Sequence, residues 1–227
     1  MLGNKVKLMI NGKSALKFWV WWTIANGIGE LLGLGAVFVT GYFAAGSMGA
    51  PKAAPELAAL ALLVIVLAAF EGSVVGLAQW LVLRRPFPAM PPLAWVGATV
   101  IGVVIAWVLG MLPSTLGAFD EAAQTPPEEP SLLVILALAA VMGAVLGVIL
   151  AAAQWRVLRH YIRRAALWLV ANAAAWLVAM PLIFLLVGST IAEHHTPGSL
   201  VLLVLGIGGA GLVAGGIHGI FLIFLLR

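Results

Sequence analysis

Six long apolar stretches restrict what this chain can fold into. They cover approximately residues 16–43, 55–83, 92–113, 131–158, 165–188 and 199–226. A helix needs about 20 apolar residues to cross a hydrocarbon core of roughly 30 Å. Because backbone polar groups in lipid must be hydrogen-bonded within the protein, and no alternating barrel pattern is present, each stretch is expected to be a helix. The sequence predicts one all-α, polytopic membrane domain, residues 1–227, with six transmembrane helices.

The composition supports a membrane location. Of the 227 residues, 63% are hydrophobic and only 9% are charged, whereas soluble domains carry roughly a quarter charged residues. The basic N-terminal segment leads into an apolar run that is too long for a secretion signal, so we expect it to be retained as the first helix. The chain has no cysteine, which excludes disulfides, thiolate chemistry and cysteine metal sites.

The basic residues are distributed unequally along the chain. Six crossings would place both termini and the linkers 84–91 and 159–164 on one side, and all of the 12 Lys and Arg residues except Lys52 lie there. Short loops rich in Lys and Arg stay in the cytoplasm. We therefore predict cytoplasmic N- and C-termini. The formal charge of +4 then reflects membrane anchoring and predicts no nucleic-acid partner.

The even-numbered helices contain an internal repeat. The motif AQWLVLR (residues 78–84) ends the second span, and AQWRVLR (residues 153–159) ends the fourth. In the sixth span His218 takes the place of the glutamine. A repeated supersecondary unit implies that its copies pack in equivalent ways. We predict three two-helix hairpins, roughly 16–84, 92–159 and 165–227, which could close around a pseudo-threefold axis.

The repeated A-Q-W-x-V-L-R hairpin resembles uncharacterised multipass membrane proteins of bacteria. The resemblance covers the even-numbered helices best, and it carries over no activity. Together with the compactness of the chain, it implies a bacterial inner membrane as the location.

Two carboxylates lie inside the apolar spans. Glu30 lies 13 residues after Lys17, and Glu71 lies 13 residues before Arg84. At 1.5 Å per residue both lie about 20 Å from the cytoplasmic anchors, slightly beyond the bilayer centre. We therefore expect adjacent antiparallel helices to bring the two acids to one level.

Such a pair has a chemical use. An ionised carboxylate at this depth costs roughly 2.5–3.5 kcal/mol on insertion scales, so the two are expected to share one proton and titrate as a unit. Asn26, one helical turn before Glu30, completes a predicted ion-binding site for protons or small cations. The alternative is structural: a protonated glutamic acid can hydrogen-bond a neighbouring helix.

Other polar residues of the spans permit two interpretations. Beside small residues they commonly tie helices together, and the alternative is that they line the inner mouth of a central path. These residues are Gln79, Gln154, His218 and Asn172. The glycines around His218 also suggest room for a pigment or haem bound through its ring. In the loop Glu193–His195 we favour solvation over a metal site, because adjacent residues rarely aim at one ion.

Most tryptophans lie near the cytoplasmic ends of the spans. This pattern is typical of an aromatic belt at the membrane interface, and the belt is predicted to comprise Trp19, Trp21, Trp22, Trp80, Trp95, Trp155 and Trp168. Trp107 and Trp176 lie deeper and are expected to pack between helices.

Two functions agree with these features. The first is a small transporter or channel with a protonatable cation site formed by Glu30 and Glu71. The second is a non-catalytic membrane subunit or scaffold, whose glycine seams receive partner helices, lipid or pigment. An enzyme is not predicted, because no nucleophile elbow, phosphate loop or zinc-protease motif occurs.

Overall fold

The computed structural model describes residues 12–48, 54–117, 130–192 and 197–227, and within these ranges the chain is helical with no strand. Six helices follow one another: α1 (Gly12–Met48), α2 (Ala54–Leu83), α3 (Pro92–Gly117), α4 (Leu132–Leu158), α5 (Leu167–Ala192) and α6 (Pro197–Leu226). The predicted all-α class and the helix count are confirmed. The starts of α2, α3 and α4 lie within one residue of the predicted spans, whereas α1 and α5 extend further at their far ends.

The exterior of the protein is apolar. All six helices are long and apolar enough to cross a membrane. Large hydrophobic side chains cover their outer faces, and Leu133 and Val141 are examples at 78% and 63% exposure. A surface of this kind is stable against lipid tails and not against water. The protein is therefore an integral, multi-pass membrane protein.

The six helices form a closed ring. Each helix packs against its neighbours along the chain, and α1 packs against α6; no other pair of described helices is in contact. Because no helix crosses the middle of the ring, the helices enclose a central space.

Glycines allow the close approach of neighbouring helices. A Cβ on Gly72 of α2 would lie 2.7 Å from the Cα of Val100 on α3. On α4, a Cβ on Gly147 would lie 2.6 Å from the backbone oxygen of Asn172 on α5. On α6, a Cβ on Gly211 would lie 2.8 Å from the Cβ of Glu30 on α1. These glycine seams are therefore used inside the ring.

One end of the ring is filled. We call it the basic end, because it holds the start of α1, the end of α6 and the basic linkers after α2 and α4. A buried apolar cluster from all six helices closes it, with members that include Phe18, Leu83, Met90, Leu158 and Leu222. Trp22, Trp95 and Trp168 belong to the same cluster and are fully buried.

The burial of these three tryptophans corrects part of the predicted aromatic belt. Trp22, Trp95 and Trp168 point into the ring and not toward the membrane interface. Trp21, in contrast, is 45% exposed, as expected of a belt residue. The physical reason is that an indole at a helix end can be buried when its N–H finds a buried acceptor, which Trp95 and Trp168 do.

Candidate functional site

A cavity of about 310 Å³ lies within the ring of helices. Its polar lining consists of Asn26, Glu30, Glu71, Gln79 and His218. The remaining walls are mainly apolar and extend away from the basic end, as far as Phe38 on α1, Met111 on α3 and Phe184 on α5. From Asn26 to Phe38 the cavity follows α1 for about 18 Å.

The two intramembrane carboxyl groups both line this cavity. Glu30 is 5% exposed and Glu71 is 6% exposed, and they are close enough for the charge of one to act on the other. The Trp107 indole donates a hydrogen bond of 2.8 Å to Glu71 Oε2. Glu30 Oε2 is buried and has no hydrogen-bond partner. The site therefore contains one anchored and one unanchored carboxyl group.

The relative depth of the acids follows from the packing of α1 on α2. A Cβ on Gly33 would lie 3.1 Å from the Cα of Glu71, so these residues face each other. Glu30 precedes Gly33 by three residues, which displaces the two acids by about 4.5 Å along the helix axes. They are thus nearly, and not fully, at one level.

Asn26 lines the cavity but is engaged in other contacts. Its Nδ2 donates to the backbone oxygen of Trp22 at 2.8 Å, and its Oδ1 accepts from Gln79 Nε2 at 2.9 Å. The carboxamide therefore ties α1 to α2 and does not contact the carboxyl groups through these bonds.

Gln79 and Gln154 continue this network across the ring. Gln79 Oε1 accepts from Trp95 Nε1 and from Gln154 Nε2, each at 3.1 Å. Gln154 Nε2 also donates to Thr99 Oγ1 at 2.9 Å, and Gln154 Oε1 accepts from Trp168 Nε1 at 2.9 Å. These bonds connect α1 to α5 through buried side chains, next to the basic end of the cavity.

The network stops at the contact of α5 and α6 with α1. Neither ring nitrogen of His218 has a hydrogen-bond partner, and the same holds for Trp22 Nε1 and Asn172 Oδ1. The Asn172 side chain instead donates to the backbone oxygen of Trp168 at 2.9 Å. The His218 ring rests against the Trp168 ring, with centroids 5.1 Å apart.

The deeper tryptophans have a larger role than helix packing. Trp107 anchors Glu71, and both Trp107 and Trp176 line the cavity. Trp176 Nε1 is buried without a hydrogen-bond partner. The sequence held one signal for this position, because the proposed repeat aligns Trp176 with Glu30.

The space expected for a pigment or haem beside His218 is occupied by α1. A Cβ on Gly215 would lie 2.7 Å from the Cβ of Asn26, and one on Gly219 would lie 2.6 Å from the Trp19 ring. The glycines of α6 therefore admit a neighbouring helix and not a flat macrocycle.

Metal binding has little support in the part of the chain that the structure describes. No group of three or more His, Cys, Asp or Glu side chains there could hold a metal ion. The segment Glu193–His195, together with Asp120 and Glu121, lies outside the described residues.

The polar side chains of the cavity could hold one positive charge. Two carboxyl groups in an apolar enclosure favour a bound proton or cation, because an isolated anion there is poorly solvated. No family model, curated protein or solved structure matches this chain. The likeness to bacterial multipass proteins stays a prediction, and the functional argument depends on the geometry of the cavity.

Proposed function

We propose that this protein is a small membrane transporter with a protonatable cation site at Glu30 and Glu71. The observation that carries the proposal is that both acids, on different helices, line one internal cavity and are more than nine-tenths buried. Ionisable residues at membrane depth are costly and usually mark substrate or proton pathways. Gln79, Gln154 and His218 lie where the path would continue to the basic end.

The packing of the basic end favours a transporter over an open channel. The cavity meets the polar network of Gln79 and Gln154, and beyond it the tryptophans and aliphatic side chains of the apolar cluster fill the ring. A substrate could pass this end only after the helices rearrange. Such a change between two closed arrangements is the principle of alternating access.

The orientation of the cavity follows if the basic end is cytoplasmic. The concentration of Lys and Arg at this end supports cytoplasmic termini, in agreement with a bacterial inner membrane. The cavity then extends from mid-membrane toward the outer side. In this arrangement the protein would receive its cargo from outside or release it there.

Equivalent contacts support the proposed three-hairpin repeat. Gly76 on α2 packs against Val96 and Thr99 on α3, and Gly215 on α6 packs in the same way against Thr23 and Asn26 on α1. The α6–α1 contact that closes the ring thus uses the positions of the α2–α3 contact.

Positions aligned with the two acids also support the repeat. Val103 and Trp176, which align with Glu30, line the same cavity, as does Leu146, which aligns with Glu71. The acids therefore occupy two of the equivalent inward positions, and the scaffold packs with apolar residues at the others. This supports a role for the acids beyond packing.

The alternative role as a subunit or scaffold has weaker support. It required glycine seams that receive partner helices or pigment, and the seams of α2, α4 and α6 pack inside the ring. Partners could still contact the lipid-facing surface.

The proposal is tested by flux through purified protein in liposomes. An imposed pH gradient or membrane potential should drive proton or cation movement, and Glu30→Gln with Glu71→Gln should abolish it. Glu56→Gln is the matched control, because Glu56 is an exposed acid at the start of α2. Unchanged flux in the double variant, with native-like helicity and elution, would remove the carboxyl groups from the mechanism.

A further inference from the structure

We infer that the cavity binds an organic cation: a protonated amine carried on an apolar, partly aromatic body. This inference rests on the proposed function and names the class of its substrate. It depends on the size of the cavity, the supply of oxygen ligands, the chemistry of the walls and the unpartnered carboxyl oxygen of Glu30.

The size of the cavity fits an organic molecule. Its volume of about 310 Å³ lies at the lower end of the roughly 300–1,000 Å³ typical of small-molecule pockets. A dehydrated inorganic ion would fill only a small part of that space. The rest would be apolar surface with nothing in contact with it, which is unfavourable.

The oxygen ligands are too few for a hard metal cation. Ca²⁺ takes about six to eight oxygen ligands and Mg²⁺ about six. Glu71 Oε2 already accepts from Trp107. The carboxamide oxygens of Asn26 and Gln79 accept from side chains of the network. The carboxyl groups can balance one positive charge, but they do not form a coordination shell.

The walls fit an apolar body near that charge. Trp107, Trp176 and Phe38 present aromatic rings to the cavity, and Met142 and Met180 add flexible thioethers. Aromatic faces attract cations, most strongly when water is excluded. Methionine adapts its shape to different ligands. These walls would accept a range of related amines.

The unpartnered oxygen indicates which cations are preferred. Glu30 Oε2 is buried and has no donor, and a buried acceptor without a partner is costly. A protonated primary, secondary or tertiary amine can donate an N–H to it, whereas a quaternary ammonium cannot. We therefore expect protonated amines to bind more tightly than quaternary ions of the same size.

Equilibrium binding provides the test. The full-length protein in detergent is titrated with N,N-dimethylphenethylamine, its N,N,N-trimethyl derivative and an uncharged isostere. We expect saturable binding of the tertiary amine at one site. Charge-assisted hydrogen bonds of about 1.5–3 kcal/mol correspond to roughly 10- to 100-fold weaker binding in Glu30→Gln and to weaker binding of the quaternary ion. Glu56→Gln should bind normally and corrects for uptake by micelles.

The outcomes separate this inference from the proposed function. Equal binding of the uncharged isostere, or full amine binding by the Glu30→Gln, Glu71→Gln double variant, would overturn the inference. Carboxyl-dependent proton flux without saturable amine binding would also overturn it while leaving the transporter proposal intact. Saturable, Glu30-dependent amine binding without any flux would support the cation site and contradict the transporter.

Discussion

Trp168 of α5 donates its indole N–H to Gln154 Oε1 of α4 at 2.9 Å. Trp95 of α3 makes the same contact with Gln79 of α2 at 3.1 Å. At each of these two junctions a glutamine of an even helix accepts from a tryptophan of the next odd helix. Where α6 meets α1, His218 and Trp22 would be the corresponding pair, and neither makes the bond.

The difference has a chemical explanation. The glutamine carboxamide supplies an acceptor for the tryptophan and a donor for Asn26 or Thr99. A neutral imidazole also has one donor and one acceptor, but its shorter, rigid side chain does not bring both to partners here. Trp22 Nε1 and Asn172 Oδ1 therefore remain without hydrogen bonds.

We expect His218→Gln to stabilise the protein. The longer amide should accept from Trp22 and donate to Asn172, and each new bond is worth about 0.5–1.5 kcal/mol. The measurement is the midpoint of thermal unfolding in one detergent, followed by circular dichroism. His218→Leu is the matched control, because it fills similar space without restoring hydrogen bonds. A lower midpoint for His218→Gln than for the native protein would contradict this account of the junction.

Gln154 should be the most sensitive residue of the network. Its side chain contacts Trp168, Thr99 and Gln79 and is fully buried. Gln154→Leu removes all three contacts and leaves the Trp168 indole without an acceptor, so we expect a loss of about 1–3 kcal/mol. Reversible unfolding in mixed micelles measures it. Ser73→Ala is the control, since the Ser73 hydroxyl is exposed and bonds only to its own helix; equal effects of the two variants would argue against a structural network.

Sequence periodicity and charge were sufficient for the helices but not for the ring. The length of each apolar run determines a membrane crossing, so α2, α3 and α4 began close to the predicted residues. Contact between α1 and α6 joins the two ends of the chain, and no local pattern encodes it directly. The glycines of α6 carried a signal for close packing, but they do not name the partner helix.

The site was predictable in part for the same reason. Equal distances from Lys17 and Arg84 indicated the shared depth of Glu30 and Glu71, because helical rise converts residue number into distance. The burial of Trp22, Trp95 and Trp168 was missed, since interfacial and buried tryptophans both occur near helix ends. Their spacing of 73 residues was the available signal that they occupy equivalent places.

The close contact of α4 with α5 can be tested at Gly147. Its Cβ would lie 2.6 Å from the backbone oxygen of Asn172, and backbone cannot move as a flexible side chain can. We expect Gly147→Ala to cost about 1–3 kcal/mol, as other overpacked sites do. Gly97→Ala provides the comparison, because nothing lies within 4 Å of its added Cβ. Unfolding midpoints of the two variants should therefore move apart, with Gly97→Ala at or above the native value.

Filling the cavity should block function without removing a carboxyl group. Ala106 lines the cavity, and Ala106→Phe would place a ring in the space where a substrate has to bind. We expect loss of flux in liposomes and loss of amine binding, with the Glu71–Trp107 contact still possible. Ile105→Phe is the control, since Ile105 is 44% exposed on the outer face and a ring there contacts lipid. Full flux through Ala106→Phe, with correct insertion shown by protease protection, would mean that the cavity is not the route. In that case the two acids could no longer be assigned to a transport site through this cavity, however well they remain paired.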